Sequence, residues 1–135
     1  MTIAIRILLL FAGHALCDYP LQGDFLAKWK NHRFGICFCG KDIEKVGEYW
    51  AAGPEVCKDN HWHKPLRRPV PWWQAMAAHS FIHAGMVYLV TRSVWMAIAE
   101  LGIHFVTDYA KCDGRISFNQ DQAIHYACKV LWAVL

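Results

Sequence analysis

The chain has 135 residues, of which 56% are hydrophobic, and its net charge is +3. That length suits one domain, residues 1–135, and excludes a protein of several large domains. With a mean hydropathy of +0.15, a soluble protein of this size would have to be mostly core. The positive charge is concentrated in loops, so we expect no nucleic-acid partner.

Four stretches with few charges predict the main helices: residues 3–17, 72–91, 93–107 and 123–135. Each approaches the ~20 mostly apolar residues that cross a bilayer. The sequence therefore predicts an all-α, integral-membrane four-helix bundle with the bilayer as its partner. A soluble four-helix bundle is the alternative. The first stretch could also be a signal peptide with Arg6 in its basic region, but polar "AGHALCDYP" lies where cleavage would occur.

In chain order, the first helix is expected over residues 3–18, and Pro20 should break or kink it. A short amphipathic continuation, "LQGDFLAKWK", follows. Residues 31–69 then form a polar insert, in which "DIEKVGEYWAAG" predicts a short helix capped by Asp42 and stopped by Gly53.

After the insert, the second and third helices are expected over residues 72–90 and 94–111, with a turn at 91–93. "CDGRISFN" predicts a tight loop, and Asn119 is the expected N-cap of the fourth helix.

Basic residues predict the orientation in the membrane. Nine of the fourteen lysines and arginines lie within residues 28–68, and Lys111 and Arg115 lie near the 112–118 loop. The positive-inside rule places the 28–71 and 112–118 loops in the cytoplasm and both termini outside.

Histidines and aspartates recur in pairs four residues apart in every predicted span. Residues at this spacing share one helix face, with about 5–6 Å between their Cβ atoms. Intramembrane ionisable groups are rare and usually functional, although a lone histidine can serve only as a helix–helix hydrogen-bonding residue. We expect eight metal ligands: His14, Asp18, His79, His83, His104, Asp108, Asp121 and His125.

The register of the helices predicts that these pairs lie at one depth. In an antiparallel hairpin, two residues equally distant from the turn lie side by side. The pairs that meet this condition are His79 with Asp108, His83 with His104, His104 with His125, and Asp108 with Asp121. By the same register, Glu100 and Lys129 should face each other as an ion pair one turn further from the cytoplasm.

Five imidazoles and three carboxylates are enough ligands for two divalent ions. Their mixed chemistry suits zinc, manganese, iron or nickel, and zinc is the first expectation. A second candidate zinc site lies in the insert, with Cys37, Cys39, Cys57, His61 and His63 as its ligands. Because their spacing matches no standard zinc finger, a loop of reduced thiols is the alternative.

Four motifs resemble the bacterial and phage membrane proteins grouped as domain of unknown function 3307: "GHALCDYPLQGDFLAKWK", "HSFIHAG", "HFVTDYAKC" and "FNQDQAIHYACKVLW". The resemblance covers residues 5–30 and 70–135, and the insert departs from it. The resemblance implies the bacterial inner membrane as the location. Similar inner-membrane proteins are labelled metal-dependent hydrolases from such His/Asp motifs, so the resemblance also favours a hydrolase.

Three functions are consistent with these observations. The first is a metal-dependent hydrolase of a lipid or lipid-linked phosphoester, in which Lys111 neutralises a phosphate oxygen and Gln22 and Gln122 orient ligands. The second is a non-enzymatic, metal-stapled protein that modifies the envelope or recruits partners. The third is metal or proton transport. A bundle this small could also form a homo-oligomer.

Overall fold

In a computed structural model, residues 1–36, 42–46, 49–51 and 69–135 are described. The insert's candidate ligands, Cys37, Cys39, Cys57, His61 and His63, lie outside the described residues. The elements are α1 (Ile3–Asp18), α2 (Gly23–Trp29), β1 (Phe34–Ile36), β2 (Asp42–Val46), β3 (Tyr49–Ala51), α3 (Trp72–Thr91), α4 (Val94–Cys112) and α5 (Phe118–Val134).

The expected helical architecture is confirmed for the described residues outside the insert, because the four predicted long helices are α1, α3, α4 and α5. The predicted helix in the insert is wrong. Its sequence forms β2 and β3, which pair antiparallel, with Lys45 opposite Trp50. β1 pairs antiparallel with β2 on its other side. Ile, Val, Tyr and Trp favour strands, and the pairing of β2 with both β1 and β3 adds hydrogen bonds that a helical pattern does not take into account.

The predicted break after α1 is confirmed. α1 ends at Asp18, two residues before Pro20, and α2 leaves at an angle of 79°. Gly23 begins α2 with φ of +55°, a left-handed conformation that glycine adopts without steric cost. The bend directs the chain back against the bundle, where α2 packs on α3.

α3 and α4 form a tight hairpin, with the turn where the sequence predicted it. Arg92 ends α3 in the left-handed region, and the Ser93 hydroxyl accepts a hydrogen bond from the Met96 amide, capping α4. α1 packs against α3 and α5, and α5 also packs against α4. A small apolar core near the chain termini contains Leu10, Val87 and Trp132.

The α4–α5 loop is tied to the segment that follows α2. The His32 ring stacks on Tyr109 with centroids 4.6 Å apart, and the Arg33 guanidinium donates to the Asp113 carbonyl at 2.8 Å. Hydrogen bonds from Arg115 and from His32 lower the pKa of the Asp113 carboxyl. These contacts hold the end of α2 against the bundle.

The length and hydropathy of each described helix bear on whether it can span a membrane. No single helix there combines the length and apolar character of a membrane span, whereas α1 and α2 taken together as a bent pair meet both conditions.

The N-cap of α5 differs from the expectation. Ser117 is the cap, rather than Asn119. The Gln120 amide donates to the Ser117 hydroxyl at 3.2 Å, and the Ser117 amide donates to the Gln120 side chain at 2.8 Å. This capping box satisfies two amides that the first turn leaves unpaired.

Ser117→Ala should therefore lower the free energy of unfolding in detergent by about 1 kcal/mol, because the Gln120 amide loses its acceptor. Asn119→Ala is the matched control and should change it by less than about 0.5 kcal/mol. Chemical denaturation followed by circular dichroism would measure both. Equal effects would contradict the assignment of the cap.

Candidate metal centre

The predicted histidine and aspartate pairs converge in the interior of the bundle. Nε2 of His79 lies 3.3 Å from Oδ2 of Asp108, as the α3–α4 register requires. The His83 and His104 rings stack with centroids 3.7 Å apart, and the His104 and His125 rings stack at 4.1 Å. Seven of the eight predicted ligands are buried, and Asp18 retains 13% of its side-chain exposure. The common depth predicted from the turns is confirmed.

In one group of donors, three donor–donor distances match those of a tetrahedral site. Nε2 of His79 and Nε2 of His104 lie 3.2 Å apart. Oδ1 of Asp18 lies 3.1 Å from Nε2 of His83 and 3.5 Å from Nε2 of His79. Four ligands at 2.0–2.1 Å around one zinc ion would be about 3.3 Å from one another. This group, Asp18 with the three histidines, can hold a metal ion.

The hydrogen-bonding state of the buried imidazoles points the same way. Among the described residues, Nε2 of His83 and Nε2 of His125 are buried without a well-oriented hydrogen bond, although carboxylate oxygens of Asp18 and Asp121 lie 3.1 Å and 3.3 Å away. Buried polar atoms in native proteins are nearly always paired, because an unpaired one loses its hydration without compensation. A bound cation would supply the missing partner for the unprotonated nitrogens that face the cluster.

A second group comprises Asp108, Asp121 and His125. Nε2 of His125 lies 3.3 Å from Oδ1 of Asp121 and 4.0 Å from Oδ1 of Asp108. The Lys111 ammonium already bridges the two carboxylates, at 2.5 Å from Asp108 and 2.7 Å from Asp121. Lys111, expected from the sequence to neutralise a phosphate oxygen, here contacts two protein carboxylates.

Glu100 supports His104 from behind. Its Oε1 lies 3.4 Å from Nδ1 of His104 and accepts a hydrogen bond from Lys129, while its Oε2 accepts one from Trp132 at 2.7 Å. The predicted Glu100–Lys129 pair is thus confirmed. A carboxylate at Nδ1 favours the tautomer whose Nε2 is free to bind metal, and it raises the basicity of the ring. Glu100 also lies within a third donor group, with His104 and His125.

His14 lies outside all three donor groups of the described residues. Its Nδ1 lies 3.3 Å from Nδ1 of His83, and its Nε2 lies 3.3 Å from the side-chain oxygen of Gln122. Gln122 in turn donates to Asp18 at 2.9 Å. The orienting contact expected of Gln122 is therefore present, whereas His14 is placed as a neighbour of two ligands.

Lys30 is a residue of the centre that sequence reasoning missed. Only 4% exposed, it donates to Oδ2 of Asp108 at 2.5 Å and to Gln22 at 2.6 Å. In the sequence it is one of nine basic residues in and beside the insert, and nothing in its spacing distinguishes it. The 79° bend between α1 and α2 carries it over the cluster.

A cavity of about 460 Å³ opens beside the cluster, at the end of the bundle where α2 and the α4–α5 loop meet. Asp18 lies in its wall, so the cavity reaches the tetrahedral group. The other polar residues that line it include Gln22, Lys30, Arg33, Lys111 and Gln122. Its wall is therefore rich in cations and amides, which suits an anionic ligand.

Comparison with known proteins yields one partial similarity that bears on this chain. A 57-residue segment is 33% identical to a UPF0324 membrane protein of Pasteurella multocida, covering 42% of this chain and 17% of that protein. No family model matches the chain, so the resemblance to domain of unknown function 3307 stays an interpretation of its motifs. No solved structure matches it.

The buried Glu100–Lys129 pair yields a prediction in two parts. Glu100→Gln or Lys129→Met alone should lower the free energy of unfolding by about 3–5 kcal/mol, because each leaves one buried charge unpaired. The double variant should recover most of that loss, yet bind zinc about 10–100-fold more weakly, since His104 lacks its carboxylate. Denaturation and zinc titration against a chelator would separate the two effects. Unchanged zinc affinity in the double variant would contradict the supporting role of Glu100.

Proposed function

We propose that this protein is an integral-membrane, metal-dependent hydrolase that cleaves a phosphoester at the level of lipid headgroups. The observation that carries the proposal is the tetrahedral donor group, Asp18 with His79, His83 and His104, at the wall of a cation-lined cavity. Zinc is the metal that this donor set suits best, and manganese, iron and nickel are alternatives.

Support for a membrane location comes from the distribution of polarity. Among the described residues, twelve polar or charged residues are buried, against nine apolar ones. Large apolar side chains are exposed on every long helix instead, including Leu8, Phe81, Trp95, Val106 and Leu131. In water this arrangement would expose apolar surface and bury charge, and both cost free energy. In lipid the outer surface is solvated, and the polar interior is the usual place for functional groups.

The partial relative supports the same location, because it is described as a membrane protein. The low hydropathy of individual helices has a local cause, since each long helix contributes charged or imidazole side chains to the interior cluster. Following the sequence analysis, we place the chain in the bacterial inner membrane, with the 28–71 loop in the cytoplasm and both termini outside.

The cavity supports a phosphoester as substrate. Lys30 and Lys111 present ammonium groups beside the donor group, and Gln22 and Gln122 offer side-chain amides. Phosphate oxygens are bound by such groups through charge-assisted hydrogen bonds. A divalent ion held there would lower the pKa of a bound water and polarise the phosphoryl oxygen. In the hydrolysis, the water oxygen bonds to phosphorus, the bond to the alcohol oxygen breaks, and the alcohol leaves with a proton.

Exposed aromatic side chains support access from the headgroup region. Tyr19 and Phe118 line the cavity, and both are more than half exposed. Phe25 lies exposed on neighbouring α2. Aromatic rings concentrate at the interface between lipid and water, so the mouth of the cavity would lie where a lipid presents its phosphate.

A second candidate function has one observation in its favour. The tetrahedral group contains four protein donors, and structural zinc sites are closed by four protein ligands, whereas catalytic sites usually have three. A metal in such a site could staple the bundle of a non-enzymatic membrane protein. Asp18, which is partly exposed to the cavity and held by Gln122, is the donor that would have to give way to a substrate.

Membrane integration can be tested directly. The protein should remain with the membranes through an alkaline carbonate wash and be released by a mild detergent, because its apolar outer surface needs lipid. Immunoblotting of the fractions would measure this. Recovery in the carbonate supernatant would contradict integration while leaving the metal centre untested by that experiment alone.

Metal binding and hydrolysis can be measured on the same purified protein. His79→Ala and Asp18→Ala should each abolish zinc binding, because each removes a donor atom. Each should also lower the rate of phosphate release from phosphatidic acid in mixed micelles by more than about 100-fold. Elemental analysis and inorganic phosphate release would be compared. His32→Ala, which removes a histidine outside the donor groups, is the matched control and should retain its zinc.

The outcomes distinguish the two candidates. Zinc binding with phosphate release from phosphatidic acid, or with p-nitrophenol release from bis-p-nitrophenyl phosphate as a diester probe, supports the hydrolase. Zinc binding without turnover, together with a large fall in thermal stability after chelation, supports the metal-stapled protein. Absence of zinc, manganese, iron and nickel from a folded wild-type protein would overturn both.

A further inference from the structure

The two oxygens of Asp108 are each engaged by a different lysine. Lys30 donates to Oδ2 and Lys111 to Oδ1, both at 2.5 Å. Lys111 also donates to Oδ2 of Asp121 at 2.7 Å. Both carboxylates are fully buried, and the Lys111 side chain retains 22% of its exposure. The ammonium of Lys111 is therefore a cation held between two buried carboxylates.

A second metal ion would require the position between these two carboxylates. In a dinuclear centre, Asp108, Asp121 and His125 would hold the second ion, and their donor atoms lie within 4.8 Å of one another. The same two carboxylates already have a positive charge between them. An ammonium and a divalent ion there would repel each other strongly, because a buried site screens charge poorly.

Charge balance favours a single ion. The cluster contains four carboxylates, on Asp18, Glu100, Asp108 and Asp121. Three of their four negative charges are balanced by Lys30, Lys111 and Lys129. One divalent ion would take the net charge from −1 to +1, whereas two would take it to +3. Uncompensated charge inside a bundle is costly, so charge balance permits the first ion, which leaves the magnitude of the net charge unchanged, and opposes the second.

We infer that the centre binds one divalent ion, at Asp18, His79, His83 and His104, and that Lys111 occupies the position of a second one. Lys111 is a positioning residue that holds Asp108 and Asp121 in place of a metal. The inference rests on the proposed metal centre and revises the count of two ions expected from the sequence. It also leaves the ammonium of Lys111 in the cavity wall beside the single ion, where an anionic substrate would meet both.

The test is the number of zinc ions bound per chain, measured by elemental analysis after equilibration with buffered free zinc. Wild type should bind about one, and Lys111→Met should bind about two, because the vacated carboxylates and His125 form a second site. Lys111→Arg keeps the positive charge and is the matched control, which should stay at about one. Adding Asp121→Asn to Lys111→Met should return the count to about one, by removing a ligand of the new site.

Asp121→Asn in the wild-type background provides a readout that does not depend on the folding of Lys111→Met. With a single ion it should leave the zinc count at about one, whereas a dinuclear centre would fall from two to one. Two zinc ions in wild type, or one in folded Lys111→Met, would overturn the inference and leave the metal centre standing. No zinc in folded wild type would overturn the metal centre and this inference together.

Discussion

The structure depends on how the bundle compensates charge in its interior. Four carboxylates and five imidazoles are packed among α1, α3, α4 and α5, where a soluble protein would place apolar side chains. Each carboxylate would be strongly destabilising alone, since buried charge loses its hydration. Lys30 and Lys111 compensate Asp108 and Asp121, and Lys129 compensates Glu100. Asp18 and the histidines have no lysine partner in this scheme, and several of their ring nitrogens lack a well-oriented hydrogen bond. A metal ion would bind these nitrogens and compensate the charge of Asp18.

The polar interior also determines the character of the outer surface. Because the helices direct their polar faces inward, their apolar faces are left exposed, and a lipid environment is the solvent that suits them. The small apolar core around Leu10, Val87 and Trp132 closes the end near the chain termini, while the cavity opens at the other end. This asymmetry suits a site that a ligand enters from one side.

The centre is also divided in its chemistry. One half consists of the tetrahedral donor group, and the other consists of carboxylates held by lysines. The cavity lies against both halves, so a bound anion would meet a metal ion and ammonium groups together. Such an arrangement is what phosphoryl transfer requires, because its transition state spreads negative charge over several oxygens. A metal ion bound by four protein ligands would suit a structural role instead. The two roles differ in whether Asp18 stays bound to the metal or gives way to a substrate.

Local pattern and register were sufficient for much of this protein. The i, i+4 pairs and the positions of the turns predicted which side chains of α3, α4 and α5 meet, including Glu100 with Lys129, because a straight antiparallel hairpin converts distance along the chain into depth. Three features were decided only by the tertiary structure. The strands β2 and β3 depend on the pairing of β2 with β1 and with β3. Lys30 reaches Asp108 only through the bend between α1 and α2, and Lys111 lies between two carboxylates of different helices. Each depends on contacts between different elements, which the periodicity within a single element does not specify.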